Sequence, residues 1–264
     1  MTKILITGGA GFIGSALAEK LLENKENFVV VVDNLLSGNI DKITDLNNDR
    51  INFIKCDVNN RNDISQVMMS YQFDYVFHYA AMVGVKQTLK NPVKVLKDID
   101  GIKNILDLSK NTGVNRIFFS SSSEIYGEPV EYPQNEETTP LNSRLPYAIV
   151  KNVGEAYLRA YKKEYNLDFT IFRFFNTYGP KQSKNFVISK FLIQALNNED
   201  VTIYGDGFQT RTFCYIDDNV EVWLTACYHN KCMNDVINVG GDKPIAMIEL
   251  ATILIKATGS KSKL

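Results

Sequence analysis

A chain of 264 residues that is 45% hydrophobic and 22% charged is long enough to bury a full core, and it suits one large α/β domain with or without a small lobe. A net charge of −1 with no Lys/Arg block excludes bulk attraction to nucleic acid or an anionic membrane, so a phosphate-bearing ligand has to be held locally. The two histidines, His78 and His229, are too isolated for a metal site, and Cys56, Cys214, Cys227 and Cys232 lack metal-ligand spacing and read as buried free thiols. Strand pattern begins at Lys3, leaving no room for a signal peptide, and no apolar run approaches the roughly eighteen residues of a membrane span. The expectation is a cytosolic protein with no membrane partner.

Residues 3–7 predict a short buried strand, followed at once by Gly8-Gly9-Ala10-Gly11-Phe12-Ile13-Gly14 and then a helix with Ile13, Leu17, Leu21 and Leu22 on one face. Glycines at that spacing let the backbone turn tightly and approach a pyrophosphate at the helix N-terminus. A second strand, 28–32, ends on Asp33, about twenty residues beyond the glycines, where a carboxylate accepts ribose hydroxyls and repels a 2′-phosphate. NAD is therefore favoured over NADP. A third strand, 51–56, runs into Asp57 and Val58, where a carboxylate can reach an adenine amino group, and a fourth, 74–79, ends in Ala80 and Ala81, small enough to let a flat cofactor pass. The expected cofactor contacts along this path are Gly8, Gly11, Phe12, Ile13, Gly14, Asp33, Asn34, Leu35, Ser37, Asp57, Val58, Ala80 and Ala81.

Pro92 opens a long predicted helix, with Val95, Leu96, Ile99, Ile102, Ile105, Leu106 and Leu108 forming a stripe wide enough for a subunit interface. A fifth strand, 116–120, delivers Ser121-Ser122-Ser123-Glu124 to the carboxyl edge of the sheet, where open α/β folds bind ligands. After a loop over 128–145 comes Pro146-Tyr147-Ala148-Ile149-Val150-Lys151. Tyr147 and Lys151 are one helical turn apart on one face, so the ammonium is expected to favour the phenolate and bring a base with an ordinary pKa of about 10 closer to neutrality. A sixth strand, 169–173, ends in Phe174-Phe175-Asn176-Thr177-Tyr178-Gly179-Pro180.

Alternation of strand and helix to this point predicts a Rossmann-type, doubly wound parallel sheet. Beyond Pro180 the rhythm changes to a helix around 187–196, a short strand at 201–204, a Gly-Asp-Gly turn at 205–207 and the run from Arg211 to Asp218. These predict a smaller lobe laid over the ligand edge of the sheet. Residues 1–175 then form an NAD-binding domain, and 176–264 predominantly a substrate-binding lobe with some segments returning to the first domain.

Taken in order, Thr7-Gly8-x-x-Gly11-x-x-Gly14, Asp33, Asp57, the serine run, Tyr147-x-x-x-Lys151 and Phe175-Asn176-x-Tyr178-Gly179-Pro180 resemble the extended short-chain dehydrogenases of the NAD-dependent epimerase/dehydratase family, which act on nucleotide sugars. The resemblance implies that Ser122 is the catalytic Ser/Thr, Tyr147 the base and Lys151 its partner, the last two also touching the cofactor along with the backbone of Phe174. It implies substrate contacts at Ser123, Asn176, Tyr204 and Arg211, and a homodimer through the 92–110 and 146–165 helices. It further implies a 4-keto sugar intermediate, with C4 epimerisation the leading outcome. Ser123-Glu124 stands where family dehydratases carry Asp-Glu, which argues against dehydration, whereas Glu124 keeps nucleotide-uronate decarboxylation open. Release of the keto sugar would make a net C4 dehydrogenase. A catalytically silent NAD-binding module is the rival of another class, but such proteins usually lose the Ser, Tyr or Lys, and all three are present. Lys86 and Arg144 are cations within reach of a substrate carboxylate, although exposed basic residues are ordinarily just solvated. Family members continue for several dozen residues past the equivalent of Leu264, so either a truncated substrate lobe or an unusually open substrate pocket is expected.

Overall fold

Runs such as Val29 to Val32, buried on both faces, are the pattern of parallel strands covered by helices on either side. The computed structural model describes residues 1–230 and 232–264, with the side chains of Val85 and Lys86 excepted, so Lys86 lies outside the described residues. Its chain order is β1 (Thr2–Thr7), α1 (Phe12–Leu22), β2 (Asn27–Asp33), β3 (Ile51–Lys55), α2 (Arg61–Tyr71), β4 (Tyr75–His78), α3 (Val85–Lys90), α4 (Pro92–Leu96), α5 (Asp98–Thr112), β5 (Arg116–Ser122), α6 (Pro146–Tyr165) and β6 (Asp168–Phe174). Then come β7 (Thr177–Tyr178), α7 (Val187–Leu196), β8 (Thr210–Arg211), β9 (Cys214–Tyr215), α8 (Ile216–Tyr228), β10 (Asp235–Val239), β11 (Ile245–Ala246) and α9 (Met247–Thr258). One compact unit comprises residues 1–174 and 220–239, and a second comprises 175–219 and 240–264.

The first unit is built on a seven-stranded sheet in the order β10-β6-β5-β4-β1-β2-β3, with every pairing parallel. The order reverses at β1, so the crevice between the carboxyl ends of β1 and β4 is where such a sheet takes a ligand. Leu5, Val30 and Val76 point to the layer of α2, α5 and α6, packing with Ile64, Ile105, Leu106, Val150 and Leu158. On the other face Phe118 stacks between Phe77 (4.4 Å) and Phe172 (6.3 Å). There Trp223 of α8 meets Tyr79 and Phe174 edge-on at 5.5 and 5.6 Å. Each such aromatic, fully buried, contributes about 1.5–3 kcal/mol. The Trp223 indole N–H has no hydrogen-bond partner among the described residues.

Two expectations need correction, and one short helix, α3, was not predicted. The single helix predicted from Pro92 is two, α4 and α5, which meet at Lys97. Asp98, the first residue of α5, turns its carboxylate to the Met82 N–H (2.7 Å) and the Asn59 amide (3.2 Å). The six-residue α3 had no clear apolar period in the sequence. No strand forms at 201–204, where the Val201 N–H pairs only with the Lys263 carbonyl (2.8 Å) and no ladder follows. The second unit instead pairs β7 with β9 and β8 with β11, and packs α7 on α9 through Ile188, Phe191, Leu250 and Ala251. No helix among the described residues is long and apolar enough to cross a membrane. Cys56, Cys214 and Cys227 are buried free thiols and Cys232 is partly exposed. Burial pushes the Cys56 and Cys227 thiols up to about 12.

Candidate active site

The glycine turn is shaped by close backbone approach. Gly8 adopts a positive φ of 70°, and a Cβ there would lie 2.7 Å from the Ala80 nitrogen; at Gly14 a Cβ would lie 2.6 Å from the Gly8 carbonyl oxygen. Gly11 caps α1 without a side-chain bond, so the first N–H groups of the helix, at Phe12 and Ile13, keep their anion-binding character. Asp33 ends β2 with one oxygen accepting from Ala10 N–H (3.1 Å) and the other from Leu35 N–H (2.8 Å), each oxygen retaining a lone pair for a hydroxyl. Burial nonetheless raises the Asp33 pKa above the usual carboxylate value, against those two bonds. Leu35 takes a left-handed φ of 61°, and Asn34 and Ser37 are exposed beside it. Asp57 is partly buried and accepts from the Asn59 N–H (3.0 Å), next to buried Val58. An uncapped helix end, a glycine cradle and a strand-end carboxylate together fit a dinucleotide.

A buried pair stiffens this crevice. The Thr7 hydroxyl accepts from the N–H groups of Tyr79 and Ala80, both at 3.1 Å, so its proton must go to His78 Nδ1, 2.8 Å away. His78 is therefore the Nε2–H tautomer. Burial, helped by the charge of Lys151, depresses its pKa to about 3, so it stays neutral and stacks on Phe119 at 6.0 Å. Thr7 thus ties the carboxyl ends of β1 and β4 together where Ala80 and Ala81 leave the sheet.

Ser122 closes β5 and caps a short 3-10 turn, Ser123–Tyr126, its oxygen accepting from the Glu124 N–H (3.2 Å). That bond leaves the Ser122 proton free to donate. Tyr147 sits in the first turn of α6, started by Pro146 at a position where its missing N–H costs nothing. Lys151, only 3% exposed, gives a hydrogen bond to Ser120 Oγ (3.1 Å) and lies over the rings of Phe119 (5.0 Å) and Tyr147 (5.7 Å). Ser122, Tyr147 and Lys151 are thereby brought together, with Glu124 exposed nearby. The expected lowering of Tyr147 by Lys151 is not found. Burial pushes the phenol up to about 12, a Ser122 hydrogen bond offsets part of this, and the charges of Glu124 and Asp98 add to the rise. The ammonium is engaged by Ser120 and sits over the ring face. Burial also depresses Lys151 to about 8, with Asp98 pulling the other way.

Several residues that support the site were missed from the sequence. Arg173 grips Glu155 with two bonds (3.0 and 2.7 Å), both side chains almost fully buried, and Ser121 donates to the same carboxylate (2.6 Å). A lone arginine closing the apolar run 169–173, and a glutamate one turn past Lys151, were the available signals, since a buried charge needs a partner. Asp98 gives no such signal in the sequence, because it falls inside the apolar stripe that runs on from Pro92. Phe174 ends β6 opposite Ser122 with its ring in the aromatic cluster behind the sheet.

The expected substrate contacts Asn176, Tyr204 and Arg211 belong to the second unit. Asn176 is exposed, with its amide on the Thr212 carbonyl (2.9 Å). Tyr204 is 64% exposed beneath the Lys190 ammonium, 4.8 Å from its ring centre, and exposed Arg211 donates to the Thr210 carbonyl (2.8 Å).

Comparison with known proteins identifies the family. The sequence model of the NAD dependent epimerase/dehydratase family matches residues 4–240. A putative UDP-glucose 4-epimerase of Methanocaldococcus jannaschii is 35% identical over 98% of this chain and 84% of its own length. UDP-glucuronic acid decarboxylase 3 of Arabidopsis thaliana is 36% identical over 94% of this chain and 72% of its own. The crystal structure of a UDP-glucose 4-epimerase from Thermotoga maritima with UDP-glucose superposes with a TM-score of 0.93 at 34% identity, covering 99% of this chain and 84% of that one.

Proposed function

The chain belongs to the NAD-dependent epimerase/dehydratase family and is an NAD-dependent nucleotide-sugar epimerase or decarboxylase, and on that premise we propose that it works as a nucleotide-sugar 4-epimerase. The observation that carries this reading is the meeting of Ser122 and Tyr147 in front of the buried Lys151. When bound, NAD supplies a hydride acceptor and donor for C4 and a further positive charge beside Tyr147. Tyr147, as phenolate, takes the proton of the C4 hydroxyl as hydride leaves that carbon, and Ser122 donates to the oxygen that becomes the ketone. Burial holds the Tyr147 pKa above its ordinary value, and the positive charge of bound NAD would act in the opposite direction. Were the 4-keto sugar to turn over and recover hydride from the cofactor on its other face, Tyr147 would restore the proton to the C4 oxygen and the epimer would result.

Ser123 is a poor proton donor to a departing hydroxyl, which disfavours dehydration. Decarboxylation of a uronate is the second reading, favoured by Glu124, whose charge acts on Tyr147, and by the decarboxylase relative. Asn176, Arg211 and Tyr204 are the candidates for the diphosphate and the base. A homodimer would cover the half-exposed Leu96 and Ile149 and the Tyr157, Tyr161 and Tyr165 ladder of α6.

The test is the mass and proton NMR of the product formed from UDP-glucose, UDP-N-acetylglucosamine and UDP-glucuronate with NAD. An altered sugar of unchanged mass supports epimerisation; loss of carbon dioxide from the uronate replaces it with decarboxylation.

A further inference from the structure

We propose that the buried Glu155–Arg173 ion pair is a positioning device for the reaction, holding the strand end that carries Ser122 and the turn that carries Glu124 in register with the helix that carries Tyr147 and Lys151. The three elements meet at this one pair. Glu155 follows Lys151 by four residues and Tyr147 by eight, so all three share a face of α6. Ser121, adjacent to Ser122, donates to Glu155 Oε1 at 2.6 Å, and Arg173 is the partner of Ser121 across the β5–β6 ladder. Arg173 also donates to the Tyr126 hydroxyl at 2.7 Å, at the end of the turn begun by Ser123 and Glu124.

The bonds run in one direction with little slack. Arg173 Nε and one terminal nitrogen take the two Glu155 oxygens, and the other terminal nitrogen serves Tyr126 and the Glu136 carbonyl (3.1 Å). Having accepted from Arg173, Tyr126 must give its single proton to Asn238 Oδ1, 2.8 Å away. The side chains of Arg173 and Glu155 are only 2% and 3% exposed. Burying such a pair stabilises a fold little compared with two apolar residues of similar size. What the pair adds is direction, because a planar guanidinium fork accepts a carboxylate in a narrow range of geometries. A helix displaced by a fraction of its turn would break several of these bonds, and the distance from Ser122 to Tyr147 would change with it.

The proposal rests on Ser122 and Tyr147 being the reacting groups, and not on the fate of the sugar. Three variants test it: Glu155→Met together with Arg173→Met, Tyr126→Phe, and Ser121→Ala. The double variant removes both charges at once and avoids stranding either. It is expected to melt near the parent, to bind NAD and UDP-glucose within about twofold of it, and to lose about 10²-fold in kcat. The single variants keep the ion pair and cut one link each, with an expected loss of about tenfold in kcat at unchanged KM. If the double variant fails to fold, the single variants decide. Parental kcat in the folded variants, or a loss confined to KM, overturns the proposal. A parent that converts neither UDP-glucose nor UDP-glucuronate would overturn the substrate reading alone. The crystal structure of Tyr126→Phe then decides the positioning role: a shift of Ser122 relative to Tyr147 supports it, and an unchanged placement ends it.

Discussion

The two sides of the candidate site are held by different means. The glycine turn between β1 and α1 is held by backbone packed against empty Cβ positions, Gly14 against Gly8 and Gly9 within the turn and Gly8 against Tyr79 and Ala80 just past the end of β4. The side that carries Ser122, Tyr147 and Lys151 is joined by long-range side-chain bonds: Lys151 reaches Ser120, Glu155 meets Ser121 and Arg173, and Arg173 reaches Tyr126. Damage on the first side should therefore appear as strain and weaker cofactor binding. Damage on the second should appear as lost rate in a protein that still folds.

The sharpest contrast is expected from Tyr147→Phe, which should lower turnover by about 10²–10⁴-fold while leaving NAD binding and the melting temperature near parental values. Turnover unchanged in that variant would remove Tyr147 from the mechanism. Lys151→Met should also be inactive yet more stable at neutral pH. The Lys151 pKa, depressed from its ordinary 10.5 to about 8, means the folded state disfavours the cation, at a cost of about 3 kcal/mol while the side chain is charged in both states. That cost fades as pH rises from about 8 through 10.5, so urea melts at pH 7 and pH 10 should show the advantage of the variant shrinking. A constant gap would mean that packing, and not charge, sets it.

On the glycine side, Gly14→Ala forces a methyl to 2.6 Å from the Gly8 carbonyl and 2.7 Å from Gly9 Cα, neither of which can swing away. A destabilisation of about 1–3 kcal/mol is expected in denaturant melts, together with loss of NAD affinity. Parental stability would show that the turn can relax. Asp33→Asn is the mildest change: one of its two backbone bonds is lost, NAD should bind about tenfold more weakly, and the margin over NADP should narrow in a calorimetric titration. An unaltered NAD-to-NADP ratio would take cofactor choice away from Asp33.

The same contrast explains what could be read from the sequence. Strand, glycine turn and helix are contiguous, so periodicity and spacing sufficed for β1 through β6, and Tyr147 and Lys151 were legible because one helical turn links them. Arg173 and Glu155 are 18 residues apart, and Tyr126 and Asn238 112 apart, so only the fold brings them together. The pKa of Tyr147 was misjudged for a related reason. Four-residue spacing correctly put an ammonium beside the ring, but burial, which no spacing reports, outweighed it. The 201–204 strand failed because extended backbone became a ladder only where a partner lay alongside, and there the partner supplied a single carbonyl.

Trp223 is the only tryptophan in the chain, and it is sealed between Tyr79, which leads into Ala80, and Phe174, whose strand position faces Ser122. An indole so placed is an intrinsic fluorophore aimed at the ligand edge of the sheet. Its emission should be blue-shifted in the native protein and move to the red on unfolding. Nucleotide arriving near Ala80 should change its intensity, so the melts and titrations above can be followed without a label.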